Sequence, residues 1–119
     1  MPDLSTMTSH DGSTVVLTCR GSAETRAFPD LSAALEAVHR DALDRSARAV
    51  IADVRALEFA SSSCLKAFVT WLQLVLELDD EHRYKIRFRS NLQHSWQRRS
   101  LGAFAEFAGA VVEIEAEGA

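Results

Sequence analysis

The sequence predicts an α/β fold in which a mixed sheet carries helices mainly on one face. Segments with strand patterning alternate with segments of helical periodicity, in the order β-β-α-β-α-β-α-β. Two of the strands have one polar side, which is typical of a sheet that is open to water on one face. The length of 119 residues fits one domain, 1–119, that can bury a core without disulfides or a structural metal.

The first half of the chain has the patterns of three strands and one helix. Asp11-Gly12 is a typical turn between two strands. Pro29 suits the first turn of a helix, and it precedes apolar residues that recur on one helical face. An apolar segment that stops at Asp53 predicts the third strand. The predicted elements are the strands Leu4–Ser9, Thr14–Arg20 and Ala49–Val54, and a helix from Pro29 to about Ser46.

The second half predicts two helices and two strands. The segment after Ser61–Ser63 has the strongest helical pattern in the chain. Tyr84–Arg89 alternates between apolar and basic side chains, and a period of two is typical of a half-buried strand. Gly109 precedes a last strand that also alternates. The predicted elements are the helices Cys64–Leu78 and Asn91–Phe104 and the strands Tyr84–Arg89 and Ala110–Glu115.

Composition and charge disfavour several functions. The net charge is -4, from 13 basic and 17 acidic residues, which is unfavourable for general binding to nucleic acid. Cys19 and Cys64 are far apart, and the four histidines have no metal-ligand spacing. The amino terminus lacks the basic start and apolar run of a secretory signal, and polar residues interrupt the most apolar stretch, Leu65–Leu78. We therefore expect a cytoplasmic protein without a membrane segment, metal or cofactor.

Three consecutive serines, Ser61–Ser63, precede the strongest helix. Serine is a favoured N-cap because its oxygen accepts a hydrogen bond from a free backbone N–H group. One serine is enough for a cap, so three exceed that need. A helix amino terminus also receives phosphate well, because the free N–H groups and the helix dipole both favour an anion. The segment is thus either a serine-rich cap or a site of phosphorylation.

The segment from Asp53 to Leu65 resembles the signature of STAS domains, the fold of bacterial anti-sigma factor antagonists. The signature reads Asp-hydrophobic-x-x-hydrophobic-x-Phe-hydrophobic-Asp-Ser-Ser-Gly-Leu. Ser61 stands at the position of its second Asp, and Cys64 stands at the position of its Gly. The resemblance extends to nearly the whole chain and implies the family fold, which has the element order predicted above. The matching residues are Asp53, Leu57, Phe59, Ser62, Ser63 and Leu65.

The resemblance implies a phosphorylation-regulated protein-interaction switch rather than an enzyme. In such proteins a kinase that is also an anti-sigma factor phosphorylates the serine after the second Asp of the signature, and a serine phosphatase reverses the modification. The unmodified form binds the kinase. That serine corresponds to Ser62, with Ser63 and Ser61 as alternatives. The implied partner surface comprises Ser61, Ser62, Ser63, Cys64 and Lys66.

Two alternative functions stay open. One is a constitutive STAS-like binding or dimerisation module without phosphorylation. The other is a receiver-like domain phosphorylated at Asp53, although no acidic pair that could hold magnesium follows the predicted second strand. A thiol enzyme is disfavoured, because Thr70 stands where a phosphatase loop beginning at Cys64 needs an arginine. We therefore expect no catalytic residues.

The helix Cys64–Leu78 has a second apolar stripe, formed by Trp71, Leu74 and Leu78. Either the other two helices cover this stripe, or it contacts a partner or a second copy of the chain as a further interface.

Basic residues concentrate near the fourth strand: six of the 13 lie between Arg83 and Arg99. Four of them would line the open face of that strand, where acidic residues of the last strand could neutralise them. The basic residues are Arg83, Lys85, Arg87 and Arg89, and the acidic residues are Glu113 and Glu115.

Overall fold

The computed structural model describes residues 2–117, except for the side chain of residue 117. Residues 1, 118 and 119 of the predicted domain lie outside this range. Over this range the chain forms five strands and three helices, with one short 3-10 turn at Thr25–Ala27. The strands are β1 (Ser5–Asp11), β2 (Thr14–Ala23), β3 (Ala49–Ala60), β4 (Lys85–Asn91) and β5 (Val112–Glu117). The helices are α1 (Phe28–Asp44), α2 (Ser62–Leu76) and α3 (Ser95–Phe107).

The strands form one mixed sheet in the order β1-β2-β3-β4-β5. β1 pairs antiparallel with β2 across a tight turn, in which Gly12 has a positive φ of 63°. The other three neighbouring pairs are parallel. Parallel neighbours need crossover connections, which the three helices provide. The predicted fold class and element order are therefore confirmed.

All three helices pack on the same face of the sheet. The strand register places His10 of β1 and Phe88 of β4 on that face. The His10 ring contacts the Asp41 carboxylate of α1 at 2.5 Å. The Phe88 ring lies 6.1 Å from Phe68 of α2 and 5.8 Å from Phe104 of α3, measured between ring centroids. The helices thus bury one face of the sheet, as the alternating strands predicted.

The other face of the sheet carries a ladder of ion pairs. Arg87 of β4 lies 3.2 Å from Glu113 and 3.4 Å from Glu115 of β5, and Arg89 lies 3.6 Å from Glu115. Adjacent strands therefore neutralise each other's charges, as expected from the sequence. The prediction is wrong for Arg83, which lies in the loop before β4. Its guanidinium group donates to a backbone carbonyl at the end of α2.

β3 is 12 residues long, twice its predicted length. The prediction is too short because two bulges interrupt the alternation of the strand. Thr18 pairs with Asp53 whereas Arg20 pairs with Ala56, so β3 carries one extra residue between these pairs. Glu58 is a second extra residue. Across each bulge, successive buried residues are three positions apart instead of two. This part of the sequence therefore lacks the strand period and resembles a loop. The buried residues are Val54, Leu57 and Ala60.

Trp71 of α2 belongs to the core, with 1 % of its surface exposed. Its indole N–H donates to the Tyr84 hydroxyl at 2.8 Å, and that hydroxyl lies 2.8 Å from Nδ1 of His39 on α1. Because indole can only donate, the Tyr84 proton is free to bond His39. The predicted second interface is therefore wrong for Trp71. Leu74 is partly exposed and Leu78 is half-buried.

The partial burial of His39 predicts a pH-dependent stability. Burial lowers the pKa of His39 below its ordinary value of 6.5, so the unfolded chain takes up this proton at a higher pH than the folded protein. The contribution of His39 is complete above pH 6.5 and decreases as the pH falls toward the lowered pKa. We expect the free energy of unfolding, measured in urea, to decrease over this window.

His39→Gln is the control for this measurement, because glutamine has no charge to gain. Subtracting its pH profile also removes the opposite effect of His82, whose pKa the hydrogen bond to Asp79 raises. Equal slopes in the wild type and in His39→Gln between pH 5.5 and 7.5 would contradict the prediction.

A candidate partner-binding surface at the start of helix α2

Ser61 directly follows β3 and caps α2. Its Oγ accepts from the backbone N–H of Cys64 at 3.2 Å, and its own N–H donates to the Ala23 carbonyl at 2.8 Å. The Ser61 backbone has the extended conformation that is normal for an N-cap, and its surface is 9 % exposed. Ser61 therefore anchors the start of α2 to the end of β2. This role suits aspartate equally well, which explains physically how serine can occupy the Asp position of the signature.

Ser62 and Ser63 are the first two residues of α2. Ser62 is exposed and Ser63 is half-buried. The first turn of α2 contains no acidic residue, so no carboxylate of that turn occupies the positive end of the helix dipole. Of the three serines, Ser62 thus has the most accessible hydroxyl, at a position where backbone N–H groups and the dipole favour an anion.

Cys64 does not reach the surface. Its side chain is fully buried, and its thiol donates to the Glu24 carbonyl at 3.4 Å, just before the 3-10 turn. This contact follows from helical geometry, because the third residue of α2 points toward the end of β2. The prediction that Cys64 contacts a partner is therefore wrong. Lys66, two residues further along α2, is exposed, so it stays a candidate for partner contact.

A groove of about 520 Å³ separates the first turns of α2 from the start of α1. On α2 it is lined by residues spaced three and four apart, which share one helical face. Phe28, 39 % exposed, and Pro29 supply the apolar part of the opposite wall. Phe59, 43 % exposed, lies two residues before the cap of α2. The α2 residues are Ser63, Lys66 and Thr70, and the 3-10 turn adds Thr25 and Arg26.

We call this region the serine end: Ser62, Ser63 and Lys66 of α2 with Phe28 and Phe59. The sequence pattern identified the serines and the lysine. It did not predict that the two phenylalanines are partly exposed, because an apolar residue in a strand or helix pattern normally indicates a core position.

Gln97 of α3 holds the end of β3 in place, and no sequence motif pointed to it. β4 pairs with β3 only as far as Asp53, so the carbonyls beyond that point need other donors. The fully buried Gln97 amide donates to the carbonyls of Val54 at 2.7 Å and Leu57 at 3.1 Å. The Trp96 indole also donates to Leu57, at 3.1 Å. In the sequence, the only indication of this role is that a polar residue lies on the apolar face of α3.

Asp53 lies on the open face of the sheet, away from the helices. Nε and NH2 of Arg55 donate to its two carboxylate oxygens at 2.9 and 2.7 Å. These hydrogen bonds, together with the charge of Arg89, hold the pKa of Asp53 below its ordinary value. Within residues 2–117 no group of three or more His, Cys, Asp or Glu side chains is placed to hold a metal ion. This environment disfavours the receiver-like alternative, which requires Asp53 beside magnesium.

Comparisons with known proteins support the fold. A scan against protein-family models finds no match, and a search among curated proteins finds none. One of the matching solved structures is the crystal structure of an anti-sigma factor antagonist from Mycobacterium paratuberculosis, with a TM-score of 0.67. The match covers 87% of this chain and 81% of that chain, at 19% sequence identity. The chain has a STAS-like fold.

The STAS-like fold places the start of α2 directly after the longest strand of the sheet. The serine end is thus supported by the longest strand of the sheet and by the capping bonds of Ser61. No helix in the described part of the chain is long and apolar enough to cross a membrane.

Proposed function

We propose that the protein is a regulatory protein-interaction domain of the anti-sigma factor antagonist type, with the serine end as its partner surface. The observation that carries this proposal is the exposed Ser62 at the first position of α2, next to Ser63, which lines a groove with an apolar wall and an exposed lysine. The likeness to an anti-sigma factor antagonist supports it at the level of the fold.

The proposed regulation is phosphorylation of Ser62, with Ser63 as the alternative acceptor. A partner that is both a kinase and an anti-sigma factor transfers the phosphate from ATP, and a serine phosphatase removes it. The dianion is favoured by the free N–H groups of α2 and by the helix dipole. It also adds bulk and negative charge at the mouth of the groove, which repels a partner that presents carboxylates there.

The groove determines what the unmodified form binds. Phe28 and Pro29 offer contact area for an apolar side chain of the partner, and Lys66 offers a cation at the rim. Lys66 has no ion pair with any described residue, so it is available to a carboxylate of the partner. A kinase of the anti-sigma type that presents one apolar residue next to an acidic one fits this surface.

We expect Ser62→Asp to lose the partner that the wild type and Ser62→Ala capture in a pull-down from the native cell. The aspartate imitates part of the phosphate charge and weakens binding by about tenfold or more, the size typical of a like-charge contact. Ser95→Asp is the matched control, because Ser95 is an exposed serine at the first position of α3. It should retain the partner.

Mass spectrometry of the protein from its native cell tests the modification itself. A phosphate on the peptide that contains Ser62 and Ser63 agrees with the proposal. The same partners for all variants, with no phosphate in any growth condition, would contradict the switch and favour the constitutive binding module. A self-association lost in the variants would instead identify a second copy as the partner.

A further inference from the structure

We propose that a cavity at the amino ends of β3 and β4 binds a phosphate monoester with an organic body. The cavity, of about 630 Å³, lies between the loop that follows α1 and the loop that follows α2. It is at the opposite end of β3 from the serine end, roughly 35 Å away by the rise of an extended strand. The proposed switch does not use it, so the two proposals are independent.

Three cations from two segments that are distant in sequence line this cavity. Arg48 precedes β3, Arg83 precedes β4, and Lys85 is the first residue of β4. The carboxylates in the lining are those of Asp80 and Glu81. The lining thus has three cationic and two acidic side chains, whereas the chain as a whole has a net charge of -4. The local excess of positive charge favours an anion.

The three cations have hydrogen-bond donors that no described residue uses. Within residues 2–117 the Arg48 guanidinium group forms no hydrogen bond or ion pair. Nζ of Lys85 donates only to the Ala110 carbonyl, at 2.7 Å, which leaves two of its three donors. The ion pair of Arg83 with Asp80 is long, at 3.5 Å, and the Asp80 side chain is 99% exposed. The carboxylates therefore leave most of the positive charge unpaired.

Arg83 provides a second, independent indication of a ligand. Its NH2 group donates to the Leu76 carbonyl at 2.6 Å, yet its Nε is buried and meets no acceptor among the described residues. A buried donor without a partner is rare and costs free energy in a folded protein. Nε and an outer nitrogen of a guanidinium group match two oxygens of one phosphate, so a phosphate would satisfy this donor once the guanidinium group turns toward the cavity.

The size and walls of the cavity define the rest of the ligand. A volume of about 630 Å³ is in the range of small-molecule sites and far exceeds one phosphate group. Ala42, Leu43 and Ala47 form an apolar wall next to the cations. His82 also lines the cavity, and its hydrogen bond to Asp79 raises the pKa of the imidazole, which adds positive charge as the pH falls. A sugar phosphate or a nucleoside monophosphate combines the required dianion with such a body.

An NMR titration at physiological salt tests the site, with ribose 5-phosphate and AMP as probes. Ribose and adenosine are the matched compounds without phosphate. We expect saturable shifts in the backbone amides of residues 46–48 and 82–85 with at least one phosphate probe, and none with ribose or adenosine. Arg48→Gln and Lys85→Gln should each weaken binding by about tenfold, the loss expected for one charge-assisted contact.

Arg40→Gln is the matched control, because Arg40 is an exposed arginine of α1 outside the cavity lining. It should bind like the wild type. An unchanged urea midpoint in each variant verifies that the variants are folded. The absence of saturable shifts with both phosphate probes, or equal affinities in Arg48→Gln and the wild type, would overturn the site. Shifts confined to residues 61–66 would also overturn it, by placing the anion at the serine end.

Discussion

Replacing Trp71 by alanine is expected to reduce the free energy of unfolding by about 3–5 kcal/mol, the usual cost of removing a buried tryptophan. The side chain is 1 % exposed, packs edge-on against Phe88 and donates to the Tyr84 hydroxyl. Its loss leaves a cavity between α2 and the sheet and removes one partner from Tyr84. Small domains have total stabilities of about 5–15 kcal/mol, so the variant should lose a large share of the total stability.

Urea denaturation followed by circular dichroism measures this effect. Leu74→Ala is the control on the same helix, because Leu74 is 36% exposed and should cost less than about 1 kcal/mol. Trp71→Phe retains most of the packing and loses the hydrogen bond, so an intermediate cost is expected. If Trp71→Ala had wild-type stability but changed the oligomeric state, Trp71 would be an interface residue after all.

Gln97→Leu is expected to be the second strongly destabilising change, at about 2–5 kcal/mol, although leucine has nearly the same size as glutamine. The substitution removes the one side-chain donor that the Val54 carbonyl has among residues 2–117, and it removes the acceptor of the Asn91 N–H, which lies 2.8 Å from Oε1 of Gln97. The Leu57 carbonyl retains the Trp96 indole as a donor. Buried backbone groups without partners incur their full desolvation cost.

Urea denaturation again gives the free energy, and Gln93→Leu is the control because Gln93 is an exposed glutamine just before α3. Amide hydrogen exchange adds a local measurement. Faster exchange in residues 54–61 of Gln97→Leu would show that the amide of Gln97 holds the strand that leads to the serine end. A stability within about 0.5 kcal/mol of the wild type would contradict this role.

The two variants also separate two contributions to the serine end. Trp71 lies in the middle of α2 and acts on the whole domain, whereas Gln97 acts on the end of β3 that directly precedes Ser61. If Gln97→Leu stays folded but captures less of the partner, the position of the end of β3 affects the partner surface.

Much of the fold could be predicted because it depends on local patterns. The turn at Gly12 follows from the freedom of glycine to adopt positive φ, and α1 follows from the apolar face that begins at Leu31. The alternation of β4 predicted that one face of the sheet is exposed to solvent, and the ion pairs of Arg87 with β5 agree with this prediction. Each of these features depends on residues that are close in sequence or on adjacent strands.

Most of the features that could not be predicted depend on contacts distant in sequence. The end of β3 looked like a loop because its bulges break the period of two, and they are stabilised by β2 on one side and by α3 on the other. Cys64 looked like a surface residue because the direction of its side chain depends on where β2 ends. Arg83 looked like a strand residue because its guanidinium group bonds to the end of α2.

By itself the sequence determined the α/β class, the order of the elements, the open face of the sheet and the serines at the start of α2. These features follow from periodicity, turn residues and capping preferences, which act within a few residues along the chain. Only the tertiary structure decided that Trp71 is buried, that Gln97 supports β3, and that three cations meet around one cavity. The physical reason is that burial, and the pairing of buried polar groups, depend on which distant segments the folded chain brings together.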